Sequence, residues 1–389
     1  MQINLKQLSI IPCILMMVVA IQASFDFTAL EMQFASYAIL AIMLAGSAFS
    51  FMLIAFQKTI TLTDLLVIVF STIILLSTFS NGTDFKNWAW QLLSICCIYF
   101  TFNYYQERLS ILIIGLAVGF STAIIIQFYQ LIVQPELWII TEQKEVASYI
   151  LGGNYNQMGI RLLIALVMDI LCIKISRWFY LLLIPCIVLS IAIPLMVGSM
   201  TAATCIILFL LICAVPSRRI RLNGIAGIFI AVILFQVLVC FNGKGIENNE
   251  LMVWFIEDVL GKDITFTYRT YMWDSALETI IQSPLIGHGY PSKDWYLANM
   301  SSFAIGPHNI ILAILIYGGL VALLLYLFFL IRSSALLRAT QDYCSDVILA
   351  GIAVACIMML MEVYPMNLIF TFFAVAEYYP YLHAQQTHE

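Results

Sequence analysis

The stretch NIILAILIYGGLVALLLYLFFLI, Asn309–Ile331, contains no charged side chain, and the first charge after it is Arg332. An α-helix rises 1.5 Å per residue, so about 20 apolar residues cross the roughly 30 Å of hydrocarbon in a bilayer. This stretch is long enough, and runs like it recur on both sides. Spans are expected at about 8–24, 34–56, 61–79, 87–104, 109–133 and 158–175, then at about 178–197, 200–216, 223–241, 309–331, 347–365 and 367–382. The expected fold is all-α, a polytopic membrane protein with about 12 transmembrane helices and a large extracytoplasmic loop between helices 9 and 10. Three regions follow: a bundle of helices 1–9 over 1–241, the loop with interfacial helices over 242–308, and helices 10–12 with a short cytoplasmic tail over 309–389.

The composition agrees with a lipid solvent. Of 389 residues, 63% are hydrophobic and 10% charged, with a mean hydropathy of +0.99, outside the range of soluble domains. The net charge of -5 argues against nucleic acid as a partner and leaves membrane lipids as the surroundings. The ten cysteines fall mainly inside apolar runs, as Cys96, Cys172 and Cys356 do, without CxxC or His/Cys spacing. They read as small packing residues, and no metal site or disulfide is expected. The first run follows Lys6 as a signal peptide would, but it lacks an A-x-A-like cleavage site and is read as the first membrane helix.

Cytoplasmic loops of membrane proteins are enriched in lysine and arginine. Placing the N-terminus inside puts Lys6, Lys58, Arg108, Lys174, Arg177, Arg218, Arg219, Arg221, Arg332 and Arg338 on the cytoplasmic side, and leaves Lys86 and Lys144 in outer connections. Both termini are then cytoplasmic. The two long outer segments are 134–157 and 242–308, and the second contains an apolar stripe: Trp273, Leu277 and Ile280 share one face of a segment from Tyr268 to Gln282. That pattern suits an amphipathic helix lying on the membrane or capping a cavity.

The same loop carries Tyr268-Arg269-Thr270-Tyr271-Met272-Trp273, then Ser283-Pro284-Leu285-Ile286-Gly287-His288-Gly289-Tyr290, and ends on Pro307-His308-Asn309. An arginine is permanently charged and its planar fork matches phosphate oxygens, while a histidine near neutral pH offers a base. Against this, Arg269 also suits the solvated start of an interfacial helix and His308 a polar anchor at a helix end. His288 between two glycines reads as a tight turn. Arg161, about one turn inside the sixth span, reads first as a snorkelling cation, and Asp169 as a buried pairing group with no catalytic role.

The order Arg-x-x-x-Trp, Ser-Pro-Leu-x-Gly-x-Gly-Tyr, then His-Asn with a glycine in the middle of the next helix resembles the O-antigen ligase and polymerase family of bacterial enzymes. The likeness covers about Thr267 to Leu325, and Asn154-Tyr155-Asn156 is similar to the Asn-x-Asn segment of many members. Two departures stand out. Gly319 follows His308 at the family spacing, but Ala322 stands where many members have Gly, Thr or Tyr, and Ser199-Met200 replaces Ser-Arg. Gly319 and Ala322 are read as small residues for close helix packing.

The resemblance implies a glycosyltransferase that uses an undecaprenyl-pyrophosphate-linked glycan donor at the outer face of the bacterial cytoplasmic (inner) membrane, with its active site facing the periplasm. The acceptor is a second lipid-linked repeat unit for a polymerase, or lipid A core for a ligase, and the polymerase is preferred. It further implies Arg269 and His308 as catalytic groups, and Arg161, Asn154, Asn156, Asn309, Tyr268 and Trp273 as substrate-binding groups, with Arg161 a candidate for the cation missing at Met200. No cofactor is expected: the chain has no GxGxxG, Walker or DxD sequence that would call for a nucleotide or a metal. The rival class is a transporter or flippase of lipid-linked glycans, for which Arg161, Asp169 and Glu362 would line a path, although paired internal repeats are absent from the sequence. A non-catalytic scaffold would not call for Arg269 and His308 together.

Overall fold

In hydrocarbon an unpaired backbone amide costs several kcal/mol, so an apolar run closes its own hydrogen bonds as a helix. The computed structural model describes residues 10–26, 33–139, 149–254, 257–258, 268–300 and 306–388, and its helices follow the apolar runs. The first nine are α1 (Ile10–Ser24), α2 (Gln33–Phe56), α3 (Leu62–Asn81), α4 (Phe85–Tyr104), α5 (Leu109–Val133), α6 (Glu136–Ile139), α7 (Gly159–Ile175), α8 (Tyr180–Val197) and α9 (Met200–Ala214). The remainder are α10 (Arg218–Phe235), α11 (Glu250–Trp254), α12 (Arg269–Gln282), α13 (Lys293–Asn299), α14 (Ile310–Thr340), α15 (Tyr343–Met361) and α16 (Met366–His388). A π-turn over Gln236–Cys240 extends α10. The described residues contain no β-strand, only isolated bridges at Phe25–Leu151 and Tyr149–Gly153.

Among the described residues, seven helical segments are long and apolar enough to cross a membrane: Tyr37–Phe56, Leu62–Asn81, Gln106–Val133, Arg177–Val197, Arg218–Cys240, Ile310–Thr340 and Tyr343–Met361. The other five expected spans coincide with α1, α7 and α9, which are shorter, and with α4 and α16, which carry more polar residues. The protein is a multi-pass membrane protein. α15 forms its centre, packing on α7, α9, α10, α14 and α16 and burying nearly its whole length.

Three ion pairs mark one end of the bundle. There Lys174 at the close of α7 bonds to Asp342, Arg221 meets Asp346 at 2.6 Å, and Arg332 meets Glu377 at 2.7 Å. The start of α7, the start of α14, the end of α15 and the start of α16 lie at the other end, where α12 also packs on α14. α12 realises the apolar stripe read from the sequence: Trp273 and Ile280 are buried and Leu277 packs against the core.

α14 departs from the uniform span expected. Its backbone leaves the helix at Gly318 (φ -144°, ψ 16°) and Gly319 (φ 63°, ψ -161°), well inside the apolar run. Main-chain groups freed at that depth need partners inside the protein, and the Ser-Pro-Leu-x-Gly-x-Gly segment supplies them. His288 N donates to Ile316 O at 2.6 Å and Gly289 N to Tyr317 O at 3.1 Å. In the other direction Leu320 N donates to Pro284 O at 2.8 Å and Val321 N to Leu285 O at 3.3 Å. Gly319 is therefore more than a packing residue: it adopts a conformation open essentially to glycine alone, and a Cβ there would lie 2.2 Å from Leu285 C.

Candidate functional site

His308 is the last residue before the cap of α14. Asn309 fills the cap with extended backbone, and its Oδ1 accepts from Leu312 N at 3.1 Å. Its Nδ2 lies 2.8 Å from Gln236 Oε1 and 3.2 Å from Leu360 O, which ties the π-turn of α10 and the end of α15 to the start of α14. Asn309 is fully buried and its amide is engaged within the protein. It therefore holds the segment that carries His308. Asn309→Ala removes the cap and leaves the buried Gln236 oxygen without this donor, so a loss of about 1–3 kcal/mol in stability is expected. Thermal unfolding in detergent checks it; an unchanged midpoint would show that the cap contributes nothing.

With Asn309 fixed, His308 turns back on itself at φ 45°, an uncommon conformation for a residue with a side chain, and reaches the end of α15. His308 Nδ1 lies 3.2 Å from Glu362 Oε1, off the direction of a hydrogen bond. Glu362 ends the apolar run of α15 in extended backbone and is buried. On the other side of the same corner, Arg269, the first residue of α12, donates Nε to Met361 O at 3.0 Å. Histidine, carboxylate and guanidinium thus meet at residues 361–362.

Tyr364 lies two residues further along, and its hydroxyl donates to Asn156 O at 2.9 Å. Burial holds this phenol well above its ordinary range and the Glu362 carboxylate adds to the effect, while Arg161 and Arg269 act in the opposite sense. Two cations and one carboxylate therefore act electrostatically on Tyr364. A cavity of 320 Å³ opens in front, lined by His308, Glu362, Tyr364, Asn154 and Gln157 together with Gln91, Tyr290, Tyr296 and Tyr317. Tyr290 and Tyr317 stack with ring centroids 4.5 Å apart. Ser-Pro-Leu-x-Gly-x-Gly-Tyr delivers Tyr290, and the break in α14 delivers Tyr317, so the junction of loop and helix builds this wall. Aromatic faces beside amide and hydroxyl groups suit a polyhydroxylated ligand.

The residues singled out from the sequence divide between cavity and support. Asn154 lines the cavity and its Oδ1 accepts from Asn156 N at 2.9 Å, while Asn156 reaches the site through its carbonyl. Arg161 is buried behind this turn, donating Nε to Ala23 O at 2.8 Å and bonding to Gln157 O. Neither Arg161 nor Arg269 is among the residues lining the cavity. Trp273 is fully buried with its ring edge-on to Phe235, joining α12 to α10, and Tyr268 is exposed in front of Arg269. Glu362, Tyr364, Gln91 and Gln157 were not singled out as site residues. The one signal for Glu362 was an acid at the very end of an apolar span, and it also fits a transport path.

The matched family joins these pieces. Residues 184–327 match the family model described as O-antigen ligase. The match supports the O-antigen ligase/polymerase family, whose members are glycosyltransferase-like ligases or polymerases acting on lipid-linked glycans and their acceptors. It covers a little over a third of the chain, from α8 to the second half of α14, and so includes Arg269, the docked loop, His308, Asn309 and the break. The remaining lining residues, Gln91, Asn154, Gln157 and Glu362 to Pro365, lie outside the matched residues. No curated protein matches the sequence.

Proposed function

We propose that the protein is a membrane glycosyltransferase that polymerises undecaprenyl-pyrophosphate-linked oligosaccharide repeat units, of O-antigen or another surface polysaccharide, at the outer face of the bacterial inner membrane. The observation that carries this reading is the approach of His308 to Glu362 on the wall of a sugar-sized cavity, with Arg269 bonded to the adjoining Met361 carbonyl. In the reaction an acceptor hydroxyl attacks the anomeric carbon of the donor. The bond from that carbon to the pyrophosphate oxygen breaks, and lipid pyrophosphate leaves with the electron pair. His308 takes the hydroxyl proton, Glu362 stabilises the imidazolium that results, and Arg269 balances the charge growing on the leaving group. Arg161 adds positive potential from behind Tyr364. Asn154 and Asn156 shape the glycan side, and Tyr268 stands at the entrance. Asn309 and Trp273 hold the machinery in place.

The basic residues gathered at the opposite end support an orientation with both termini in the cytoplasm and the cavity in the periplasm. Within the same division of the chain, 1–241 and 309–389 form the membrane bundle and 242–308 the outer loop. The description of the matched family favours a second reading, an O-antigen ligase that transfers the glycan to lipid A core. Incubating purified protein with the lipid-linked repeat unit separates the two, since a polymerase yields longer lipid-linked chains without lipid A core and a ligase yields product only with it. Arg269→Ala is expected to abolish transfer at normal protein level, with poor rescue by Arg269→Lys because a point charge replaces a bidentate fork. Full activity in Arg269→Ala would remove this residue from the site, and absence of product with either acceptor would favour the transporter class.

A further inference from the structure

Two adjoining cavities of 340 and 440 Å³ share Phe229, Ile233, Leu330 and Ile331, and so form one groove between α10 and α14. It starts beside Ile310 and Gln236, near the cap of α14, and ends at Ser334 and Arg338. Beyond the break at Gly318 and Gly319, α14 advances roughly 27 Å from Leu320 to Arg338, close to the thickness of the hydrocarbon. The side chains between these ends are almost entirely apolar, and Ile230, Ile233, Val237 and Ile331 are exposed.

The Arg338 end is strongly cationic. Arg218 Nη2 donates to Arg338 O at 3.2 Å, Arg221 lies beside it on α10, and Arg219 is exposed on the same turn. Among the acids at this corner, Asp346 is engaged by both Arg218 and Arg221, and Asp342 bonds to Lys174. The Arg338 guanidinium makes no hydrogen bond or ion pair among the described residues.

An apolar groove that ends on an unneutralised arginine fits an amphiphile with an anionic head. We propose that it holds an acyl chain of an anionic glycerophospholipid whose phosphate rests against Arg338. The glycan donor does not fit this place, because a pyrophosphate at Arg338 would lie a membrane's thickness from His308. The site is thus a lipid site separate from the cavity, in the opposite leaflet, and does not depend on the glycosyltransferase reading. Juxtamembrane arginines attract anionic headgroups by about 1 kcal/mol each near the surface, and a ligand that binds only the folded state raises its unfolding temperature.

The test uses the full chain in detergent, with phosphatidylglycerol or phosphatidylcholine of the same acyl chains added. Phosphatidylglycerol is expected to raise the unfolding midpoint by several degrees, and phosphatidylcholine by less than half as much. Arg338→Gln should lose that preference and Arg338→Lys keep it. Ala226→Trp, which fills the groove, should reduce the shift from either lipid. Equal shifts with the two lipids, no shift with either, or an undiminished preference in Arg338→Gln would each overturn the proposal. Should Ala226→Trp fail to fold, the two Arg338 variants decide. Mass spectrometry of the purified protein showing a polyprenyl phosphate held through Arg338 would reassign the groove to that lipid.

Discussion

His308→Ala is expected to lower glycosyl transfer by about 100- to 10,000-fold near neutral pH, the usual contribution of a positioned general base. The geometry distinguishes this from the loss of a mere helix anchor. Asn309, not His308, caps α14 and binds α10 and α15 to it. His308 instead reaches across to Glu362 at 3.2 Å and opens onto the cavity, in a backbone conformation that costs about 1–3 kcal/mol in a residue with a side chain. A strained residue beside an acid and a cavity is the pattern of a site that maintains a reactive group. Initial rates with lipid-linked donor, at matched protein level and matched unfolding midpoint, provide the measurement. An unchanged rate would leave His308 as a structural residue and transfer the role of base elsewhere.

The second large effect is expected at Gly319. Alanine there would strain the backbone by about 1–3 kcal/mol at φ 63°, ψ -161°, and its Cβ would lie 2.2 Å from Leu285 C and 2.3 Å from Leu285 O. These are main-chain atoms, so no side chain can swing aside. Relief requires the loop to withdraw from the break, which strands the amides of Leu320 and Val321 and the carbonyls of Ile316 and Tyr317 within the bundle. Gly319→Ala should therefore fail to accumulate, or unfold at a much lower temperature and lose transfer together with the Tyr290–Tyr317 wall. A variant with normal midpoint and full activity would refute the docking of the loop into α14.

The sequence made the helices legible because a membrane span has only one demand, apolar length, and each run meets it locally. The stripe of Trp273, Leu277 and Ile280 likewise declared α12 through its own period. The break in α14 was hidden for the opposite reason. Gly318-Gly319 within an apolar run looks like a packing surface, and what opens the helix is backbone from Pro284 to Gly289, some thirty positions earlier and linked by no periodicity. Asn309 and Trp273 carry the family signature, yet they are buried and act as supports. Glu362 and Tyr364 carry no motif of their own, and they become site residues only because the end of α15 meets the start of α14.

All four bonds that seat the loop in the opened helix run from main chain to main chain. Such a junction does not read side-chain identity; it reads shape. Leu285 and Ile286 are 62% and 54% exposed, and exchange there leaves every one of those bonds in place. At Gly287, Gly289 and Gly319 a single added carbon would strike backbone atoms within 2.5 Å. Along the seam the hydrogen bonds leave Leu285 and Ile286 free to vary in shape, while steric room fixes Gly287, Gly289 and Gly319.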